Sequence, residues 1–259
     1  MDYVTVRYIS KKPKLKNPIL IEGLPGIGNV GKLAVEHLID SVNATKFAEL
    51  HSKDFPPQVF INTDGTIELV NNEFYYWKGK KRGQSDLILL TGDYQGLSSQ
   101  GQYELVEKIL EIAKEFGVKE IYTLGGYGLG HEIKDPKVLC ATTDKHLVKT
   151  MKKYGAVFKK NEPGGGIVGA SGLLLGLGKQ FGFQGACFMG ETPGYLVDPK
   201  SAKAVLKILM KITNVDVNLQ ALEKKAKEIE HIAHQLKEME NISKEKSEEL
   251  KYIGWLFLI

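Results

Sequence analysis

Residues 19–33 read Ile-Leu-Ile-Glu-Gly-Leu-Pro-Gly-Ile-Gly-Asn-Val-Gly-Lys-Leu, an apolar run followed by a glycine-rich turn. The apolar run predicts a buried strand over 18–22, because strands covered by helices on both faces are apolar at nearly every position. After the turn, apolar residues recur at helical spacing and predict a helix over 30–40; they are Val30, Leu33, Ala34 and Leu38. Strand, glycine turn and helix in this order form the repeating unit of an α/β fold.

The glycines of this turn match two nucleotide-binding spacings in part. Gly26, Gly28 and Gly31 have the spacing of a dinucleotide-binding turn. Gly26 with Gly31 and Lys32 has the spacing of a phosphate-binding P-loop. A P-loop continues with Ser or Thr, whose hydroxyl binds Mg²⁺, whereas this chain has Leu33. Leucine has no atom that could coordinate a metal ion.

Three interpretations of the turn are open. Glycines permit positive φ and close backbone approach, so the turn can simply pack a helix tightly against a sheet. The free N–H groups at the start of a helix can also bind the anionic group of a small ligand. A true dinucleotide site would need an acidic residue about 20 positions later, where Glu49 and Asp54 occur in ordinary sequence. We favour the structural turn, since neither nucleotide-binding pattern is complete.

The chain continues to alternate strands and helices up to residue 213. The predicted strands are 4–8, 46–51, 66–70, 74–78, 86–91, 120–124 and 185–191, and the further helices are 102–116, 144–154 and 200–213. Asn71-Asn72 is expected to form a hairpin turn between two of the strands. Four glycines at positions 166, 169, 172 and 176 predict a closely packed face on a buried helix within 164–182. We assign residues 1–215 to one α/β domain.

Glycine turns are expected at the carboxyl ends of the strands, where the ligand crevices of α/β sheets lie. The candidate ligand-binding residues of this crevice are Gly26, Gly28, Gly31, Lys32, Asp93, Tyr127 and Glu191. Two carboxylates and a histidine such as His131 could perform acid–base chemistry there, but their spacing does not bring them together. The chain contains no Gly-x-Ser-x-Gly and no His-Glu-x-x-His sequence. We therefore assign no catalytic residue, no cofactor and no metal ligand.

The composition narrows the class of protein. The chain has 259 residues, of which 42% are hydrophobic and 25% charged, as in ordinary soluble domains with a core of their own. The net charge is only +4 and the chain has just two arginines, so we expect no nucleic-acid partner. No apolar stretch is long enough for a membrane span. Cys140 and Cys187 lack metal-ligand spacing, and we expect free, buried thiols in a cytoplasmic protein.

From residue 216 the composition changes to Lys and Glu with apolar residues three and four positions apart. These are Leu219, Leu222, Ala226, Ile229, Ala233 and Leu236. The spacing is that of a short coiled coil or of a helix that packs on a partner or on another copy. The alternative is an amphipathic helix that folds back on its own domain. We assign 216–259 to a helical tail, and its candidate partner contacts are Leu219, Leu222, Ile229 and Leu236.

Three stretches together resemble a known family. Glu22-Gly23-Leu24-Pro25-Gly26-Ile27-Gly28-Asn29-Val30-Gly31, Gly125-Gly126-Tyr127-Gly128 and Gly190-Glu191-Thr192-Pro193-Gly194-Tyr195 occur in this order. In this they resemble an archaeal member of the proteasome assembly chaperone family, over about residues 15–213. The resemblance implies a single three-layer α/β domain with a mixed sheet, similar to purine nucleoside phosphorylases without their active-site residues. Archaeal relatives are often labelled ATP-grasp-like.

The resemblance also implies a partner. Archaeal members are implicated in binding proteasome α-subunits, and some carry a C-terminal hydrophobic-Tyr-x tail that enters pockets between those subunits. This chain ends in Phe257-Leu258-Ile259, with leucine where the tyrosine should be, and the nearest tyrosine is Tyr252. We include all four residues among the candidate partner contacts. We thus interpret the chain as a non-enzymatic, homo-oligomeric chaperone that binds proteasome α-subunits; the alternative is an ATP-grasp-like or other nucleotide- or anion-binding enzyme that uses the glycine-turn crevice.

Overall fold

The computed structural model describes residues 2–158 and 165–229 of the chain. Its strands are β1 (Val4–Tyr8), β2 (Ile19–Glu22), β3 (Thr45–Ser52), β4 (Val59–Ile61), β5 (Ile67–Leu69), β6 (Asn72–Trp77), β7 (Leu87–Gly92), β8 (Glu120–Gly128), β9 (Val138–Thr142) and β10 (Gln184–Thr192). Eight of them form one sheet in the order β1-β3-β6-β7-β2-β8-β10-β9, and β4 pairs with β5 in a separate hairpin.

The main sheet is mixed. Its centre consists of the parallel strands β7, β2, β8 and β10. Strands β6, β3 and β1 continue the sheet antiparallel on one side, and β9 is antiparallel on the other. The prediction of an α/β fold with a mixed sheet is confirmed. The carboxyl ends of the four parallel strands meet along one edge, which is where a ligand crevice would lie.

Helices cover both faces of the sheet. They are α1 (Val30–Val42), α2 (Ser99–Glu115), α3 (Lys145–Tyr154), α4 (Ala170–Gln180) and α5 (Pro199–Thr213). Helix α1 packs with α5 and the shorter α3 on one face, and α2 packs with α4 on the other. Within β2, Ile19 and Ile21 belong to the first core and Leu20 to the second. The central strands are therefore buried on both sides, as their apolar sequences predict. The similarity to purine nucleoside phosphorylases stays a prediction.

The hairpin predicted at Asn71-Asn72 is wrong. Strand β5 pairs with β4, whereas β6 begins at Asn72 and lies between β3 and β7 in the main sheet. The β-favouring runs on either side of the two asparagines thus belong to different sheets. Asn71 instead anchors the connection, because its backbone N–H donates to Asp93 Oδ2 at 3.0 Å. Strands β4 and β9 were not predicted from the sequence.

The close-packed glycine face predicted within 164–182 is also mostly wrong. Helix α4 begins only at Ala170, so Gly166 and Gly169 precede it. A Cβ atom added at Gly166 or Gly176 would meet no other atom within 4 Å. Gly172 is tightly packed, but against the carbonyl oxygen of Ile167 in the loop that leads into the same helix. The side of α4 that faces the core contains Ala170, Leu174 and Leu175.

The start of the C-terminal tail packs on the domain. Residues 220–229 are helical, and Leu222 is 2% exposed within the core that also contains α1 and α5. Leu219 packs against the same core, and Lys203 on α5 pairs with Glu223 at 2.7 Å. This part of the tail therefore follows the alternative of a helix folded back on its own domain. Leu236, Tyr252, Phe257, Leu258 and Ile259 lie outside the described residues.

Within residues 2–158 and 165–229, we find no helix with both the length and the apolar character required to cross a bilayer. Both cysteines, Cys140 and Cys187, are free and buried, as predicted.

Candidate functional site

The glycine turn after β2 is packed tightly against the chain's own sheet. Gly28 has φ +62°, a left-handed conformation that favours glycine, and its position leaves no room for a side chain because a Cβ atom would lie 2.7 Å from Thr192 Oγ1. A Cβ atom at Gly31 would overlap the carbonyl oxygen of Leu124 in the central strand β8. Gly26 is the exception, with Gln95 Nε2 at 3.9 Å as its nearest neighbour. Gly28 and Gly31 therefore allow close packing of α1 on the sheet.

Lys32 forms its bonds within the protein. Its Nζ donates to the carbonyl oxygen of Gly92 at 2.6 Å and pairs with Glu36 Oε1 at 2.9 Å. The ammonium group thus links α1 to the end of β7. In a P-loop the corresponding lysine reaches the phosphates of the nucleotide. The partners of Lys32 favour the structural interpretation of this turn.

A carboxylate of the chain itself binds at the turn. Glu22, the last residue of β2, is fully buried. Its Oε1 accepts the backbone N–H of Leu24 at 2.9 Å, and its Oε2 accepts the hydroxyl of Ser171 at 2.9 Å. Ser171 lies at the start of α4, so Glu22 occupies N–H and O–H donors that an anionic ligand would otherwise use. Burial raises the pKa of Glu22 to about 7, although both hydrogen bonds act in the opposite direction.

Gln95 bridges the turn and helix α4. Its Nε2 donates to the carbonyl oxygen of Pro25 at 2.7 Å. Its Oε1 accepts the backbone N–H of Ala170, the first residue of α4, at 2.9 Å. One side chain from the loop after β7 therefore holds together the two elements that would form the walls of a crevice. No local pattern in the sequence indicates these roles of Gln95 and Ser171, since the partners of their side chains lie 70 or more positions away.

The other candidate residues do not form one site. Asp93 accepts the N–H of Asn71, and Glu191 Oε2 accepts the N–H of Lys137 at 3.1 Å. Tyr127 lies opposite Glu191 in the pairing of β8 with β10. Asp93 follows β7, three strands away from β10, which corresponds to about 14 Å at the usual strand spacing. The two carboxylates are therefore too far apart for paired acid–base chemistry.

The histidines do not complete such a site either. His131 is exposed, and its Nδ1 lies 3.0 Å from the carbonyl oxygen of Leu129. In the part of the chain that the structure describes, no group of three His, Cys, Asp or Glu side chains could hold a metal ion. Acid–base chemistry is one use of this edge that the sequence analysis considers. The described residues do not form the site that such chemistry would need.

The same edge of the sheet has an exposed apolar surface. The loop after β10 contains Tyr195, Leu196 and Val197, which are 67%, 39% and 40% exposed. They border a groove that is also lined by Ala226 and Ile229 of the helical segment 220–229 and by the charged residues Glu132, Asp198 and Lys200. The loop is fixed to the glycine turn, because the N–H of Asp198 donates to the carbonyl oxygen of Gly28 at 2.9 Å. The glycine turn after β2 thus supports a loop with an exposed apolar surface.

Comparison with known proteins shows the family of this chain. The model of the PAC2 family matches residues 20–237, most of the chain. The chain belongs to the PAC2 family. The PAC2 chain is 46% identical to an uncharacterised protein, MJ1210, of Methanocaldococcus jannaschii, over 96% of this chain and 98% of that protein.

Two solved structures extend the comparison. Pyrococcus furiosus PbaB, described as an archaeal proteasome activator, is 44% identical with a TM-score of 0.88 over 92% of this chain and all of that one. Pyrococcus furiosus PbaA, described as an archaeal homologue of a proteasome-assembly chaperone, is 26% identical with a TM-score of 0.76 over 96% and 97% of the two chains. Neither the family nor these structures supports the ATP-grasp-like label.

We predict that ATP with Mg²⁺ will not raise the melting temperature of the PAC2 chain. Leu33 replaces the Mg²⁺-binding hydroxyl, and Lys32 is bound to Gly92 and Glu36. A ligand at 100 times its Kd would add about 2.7 kcal/mol of stability, which thermal denaturation detects easily. A saturable shift with ATP that disappears in Lys32→Ala would contradict the structural interpretation of the turn.

Proposed function

We propose that this PAC2 chain is a non-enzymatic, chaperone-like protein that binds proteasome α-subunits. The observation that carries the proposal is the similarity to PbaB, at 44% identity over the whole of that chain, together with the similarity to PbaA. PbaB is an archaeal proteasome activator, and PbaA is an archaeal homologue of a proteasome-assembly chaperone. If this chain shares a role related to the proteasome with them, it acts by binding another protein.

The hydrogen bonds within the glycine-turn crevice support the part of this proposal that the protein is not an enzyme. Glu22 and Gln95 use the hydrogen-bonding groups at the turn, and Lys32 is bound elsewhere. Asp93 and Glu191 each bind a backbone N–H and lie on different strands. No observation favours the alternative of a nucleotide- or anion-binding enzyme, so we do not propose it as a second function.

We further propose that the C-terminal end of the chain contributes to α-subunit binding. Phe257, Leu258 and Ile259 are apolar, and a hydrophobic side chain that becomes fully buried contributes about 1.5–3 kcal/mol. Tyr252 and Leu236 belong to the same proposed set of contacts. Leu219 and Leu222 contact the domain's own core, and Ile229 lines the groove beside Tyr195. Self-association of the chain, through the domain or the tail, is also part of the proposal.

The test uses two truncations and purified proteasome α-subunits. Removing residues 255–259 should weaken binding at least tenfold, which corresponds to only about 1.4 kcal/mol of lost contact energy. Removing residues 230–259 should abolish binding but leave the melting temperature unchanged, because Leu222 and the described core remain. A cut at residue 216 would be a poorer test, since Val217 and Leu222 belong to the core. Unchanged binding by both truncated chains would contradict the role of the tail.

A further inference from the structure

Helices α3 and α5 concentrate the positive charge of this protein. Each of them contains four lysines, and neither contains Asp or Glu. The net charge of the whole chain is only +4, so the rest of the chain is net acidic. Helix α2 has the ordinary pattern of a surface helix, because it mixes glutamates with lysines and pairs Lys108 with Glu111 at 2.6 Å. The lysines of α3 and α5 are therefore an exception within this molecule.

The lysines of each helix form a stripe along its outer side. Each lies three or four positions from another, at 145, 149, 152 and 153 in α3 and at 200, 203, 207 and 211 in α5. Residues at this spacing lie on one face of a helix. The opposite faces pack into the core, through Met151 in α3 and through Val205, Leu206 and Leu209 in α5. Both stripes therefore face away from the core.

The two stripes form one surface, because α3 and α5 are neighbours in the same helical layer. Lys211 Nζ donates to the carbonyl oxygen of Tyr154, the last residue of α3, at 2.9 Å. Three carboxylates adjoin the surface, two at the N-caps of the helices and one in an ion pair with Lys203; they are Asp144, Asp198 and Glu223. The lysines outnumber them clearly. We call the surface formed by these eight lysines the basic surface.

Folding alone does not explain the basic surface. Like charges four positions apart on a helix repel each other, as for Lys145 with Lys149 and for Lys207 with Lys211. A cation near the start of a helix is also unfavourable, because the macrodipole is positive there. Helix α3 begins with Lys145, and Lys200 is the second residue of α5. An arrangement that lowers the stability of the folded chain indicates an interaction with a negatively charged partner.

The composition of the basic surface favours an acidic protein as that partner. Proteins that read nucleic-acid sequence use Arg, Asn and Gln on the bases, and α3 and α5 contain none of these residues. A basic helix binds a membrane stably when apolar side chains insert as well, but no large apolar side chain of α3 or α5 is exposed. Lysine is a strongly hydrated point charge. It suits long-range attraction to a complementary protein surface.

We propose that the basic surface attracts and orients an acidic face of the protein partner. The inference rests on the proposed function, under which the partner is the proteasome α-subunit, and it adds the charge of the face that is contacted. The basic surface adjoins the helical segment 220–229, since Lys203 pairs with Glu223 of that segment at 2.7 Å. It therefore lies beside the part of the chain that leads to the proposed tail contacts.

The test compares the association rates of two charge-reversal variants of the full chain with purified α-subunits. Lys149→Glu/Lys207→Glu changes one exposed lysine in each stripe. The matched control is Lys11→Glu/Lys14→Glu, which changes the net charge equally in the exposed loop after β1, at the opposite edge of the sheet from β9. At low salt we expect the rate to fall about tenfold in the first variant and less than about twofold in the control.

Salt and stability measurements accompany the rates. Near 1 M NaCl, where the Debye length is about 3 Å, the wild type and both variants should associate at similar rates. The melting temperature of Lys149→Glu/Lys207→Glu should not decrease, because the change removes like-charge repulsion. Equal rates of the two variants at low salt, with binding by the wild type, would overturn the role of the basic surface but not the proposed function. Absence of binding by the wild type would overturn both.

A last measurement tests the two other classes of anionic partner. The probes are a DNA duplex of about 20 base pairs and vesicles of phosphatidylcholine with phosphatidylserine, at a salt concentration of about 0.15 M. We expect the wild-type chain to bind both more weakly than it binds the α-subunits. Binding to either probe that is tighter than binding to the α-subunits, and that is lost in Lys149→Glu/Lys207→Glu, would overturn the assignment to an acidic protein.

Discussion

Replacing Gly31 with alanine should destabilise the fold by about 3 kcal/mol, at the upper end of the usual cost of overpacking. The added Cβ atom would overlap the carbonyl oxygen of Leu124, and it would lie 3.4 Å from the backbone N of Gly125. Both atoms belong to the backbone of β8, which pairs with β2 on one side and β10 on the other. The strand cannot move away from the added atom without breaking its backbone hydrogen bonds to β2 and β10. Helix propensity alone would favour alanine in α1 by about 1 kcal/mol, so the predicted sign is opposite to that of propensity.

The matched control is Gly26→Ala in the same turn. A Cβ atom there has no neighbour closer than Gln95 Nε2 at 3.9 Å, and Gly26 has φ −167°, an extended conformation open to any residue. We expect its free energy of unfolding to change by less than about 0.5 kcal/mol, as for most exposed substitutions. Urea unfolding of both variants gives the comparison. Equal stability of Gly31→Ala and wild type would contradict the packing role of the turn.

Replacing Glu22 with glutamine should remove a pH-dependent loss of stability. The ordinary pKa of this carboxyl is 4.5, and burial raises it to about 7 in the folded chain. The folded state therefore binds more protons at Glu22 than the unfolded state between these values, so the contribution of Glu22 to stability decreases as the pH rises from 4.5 to 7 and is constant above that range. The total decrease is roughly 3 kcal/mol, because each unit of pKa difference corresponds to about 1.4 kcal/mol.

Glutamine can keep both hydrogen bonds of Glu22. Its amide oxygen can accept the N–H of Leu24, and its amide N–H can donate to the hydroxyl of Ser171, which rotates to accept. We expect the stability of Glu22→Gln relative to wild type to increase between pH 5 and pH 8. Urea unfolding at several pH values measures this difference. Parallel pH profiles of the two proteins would show that the buried carboxyl does not titrate in this range.

The sequence was sufficient for the central architecture because the signals there are local. The apolar run Ile19–Ile21 and the periodic residues of α1 each predict one element, and both elements are present. The same argument failed at Asn71-Asn72, since the strands on either side pair with distant partners and nothing local specifies which sheet a strand joins. It failed again at Gly166 and Gly176, where glycine spacing alone cannot distinguish a packed face from an open one.

The candidate site was predictable only as a location. The glycine turns do gather at the carboxyl edge of the parallel strands, and Gly28 and Gly31 are packed closely against Thr192 and Leu124. The groups that fill the crevice could not be predicted. Glu22 accepts a hydrogen bond from Ser171, which is 149 positions away, and Gln95 accepts one from Ala170, which is 75 positions away. Such bonds depend on how the two helical layers are placed on the sheet. The position of the helices relative to the sheet cannot be predicted from a single sequence.

The proposed function is tested most directly by titrating purified proteasome α-subunits with the intact chain in sedimentation velocity experiments without nucleotide. The account predicts a saturable complex with a Kd of about 1 μM or tighter, which corresponds to about −8 kcal/mol. Addition of ATP and Mg²⁺ should leave the Kd unchanged. Absence of any complex at roughly 100 μM, where binding weaker than about −5.5 kcal/mol escapes detection, would contradict α-subunit binding by this protein.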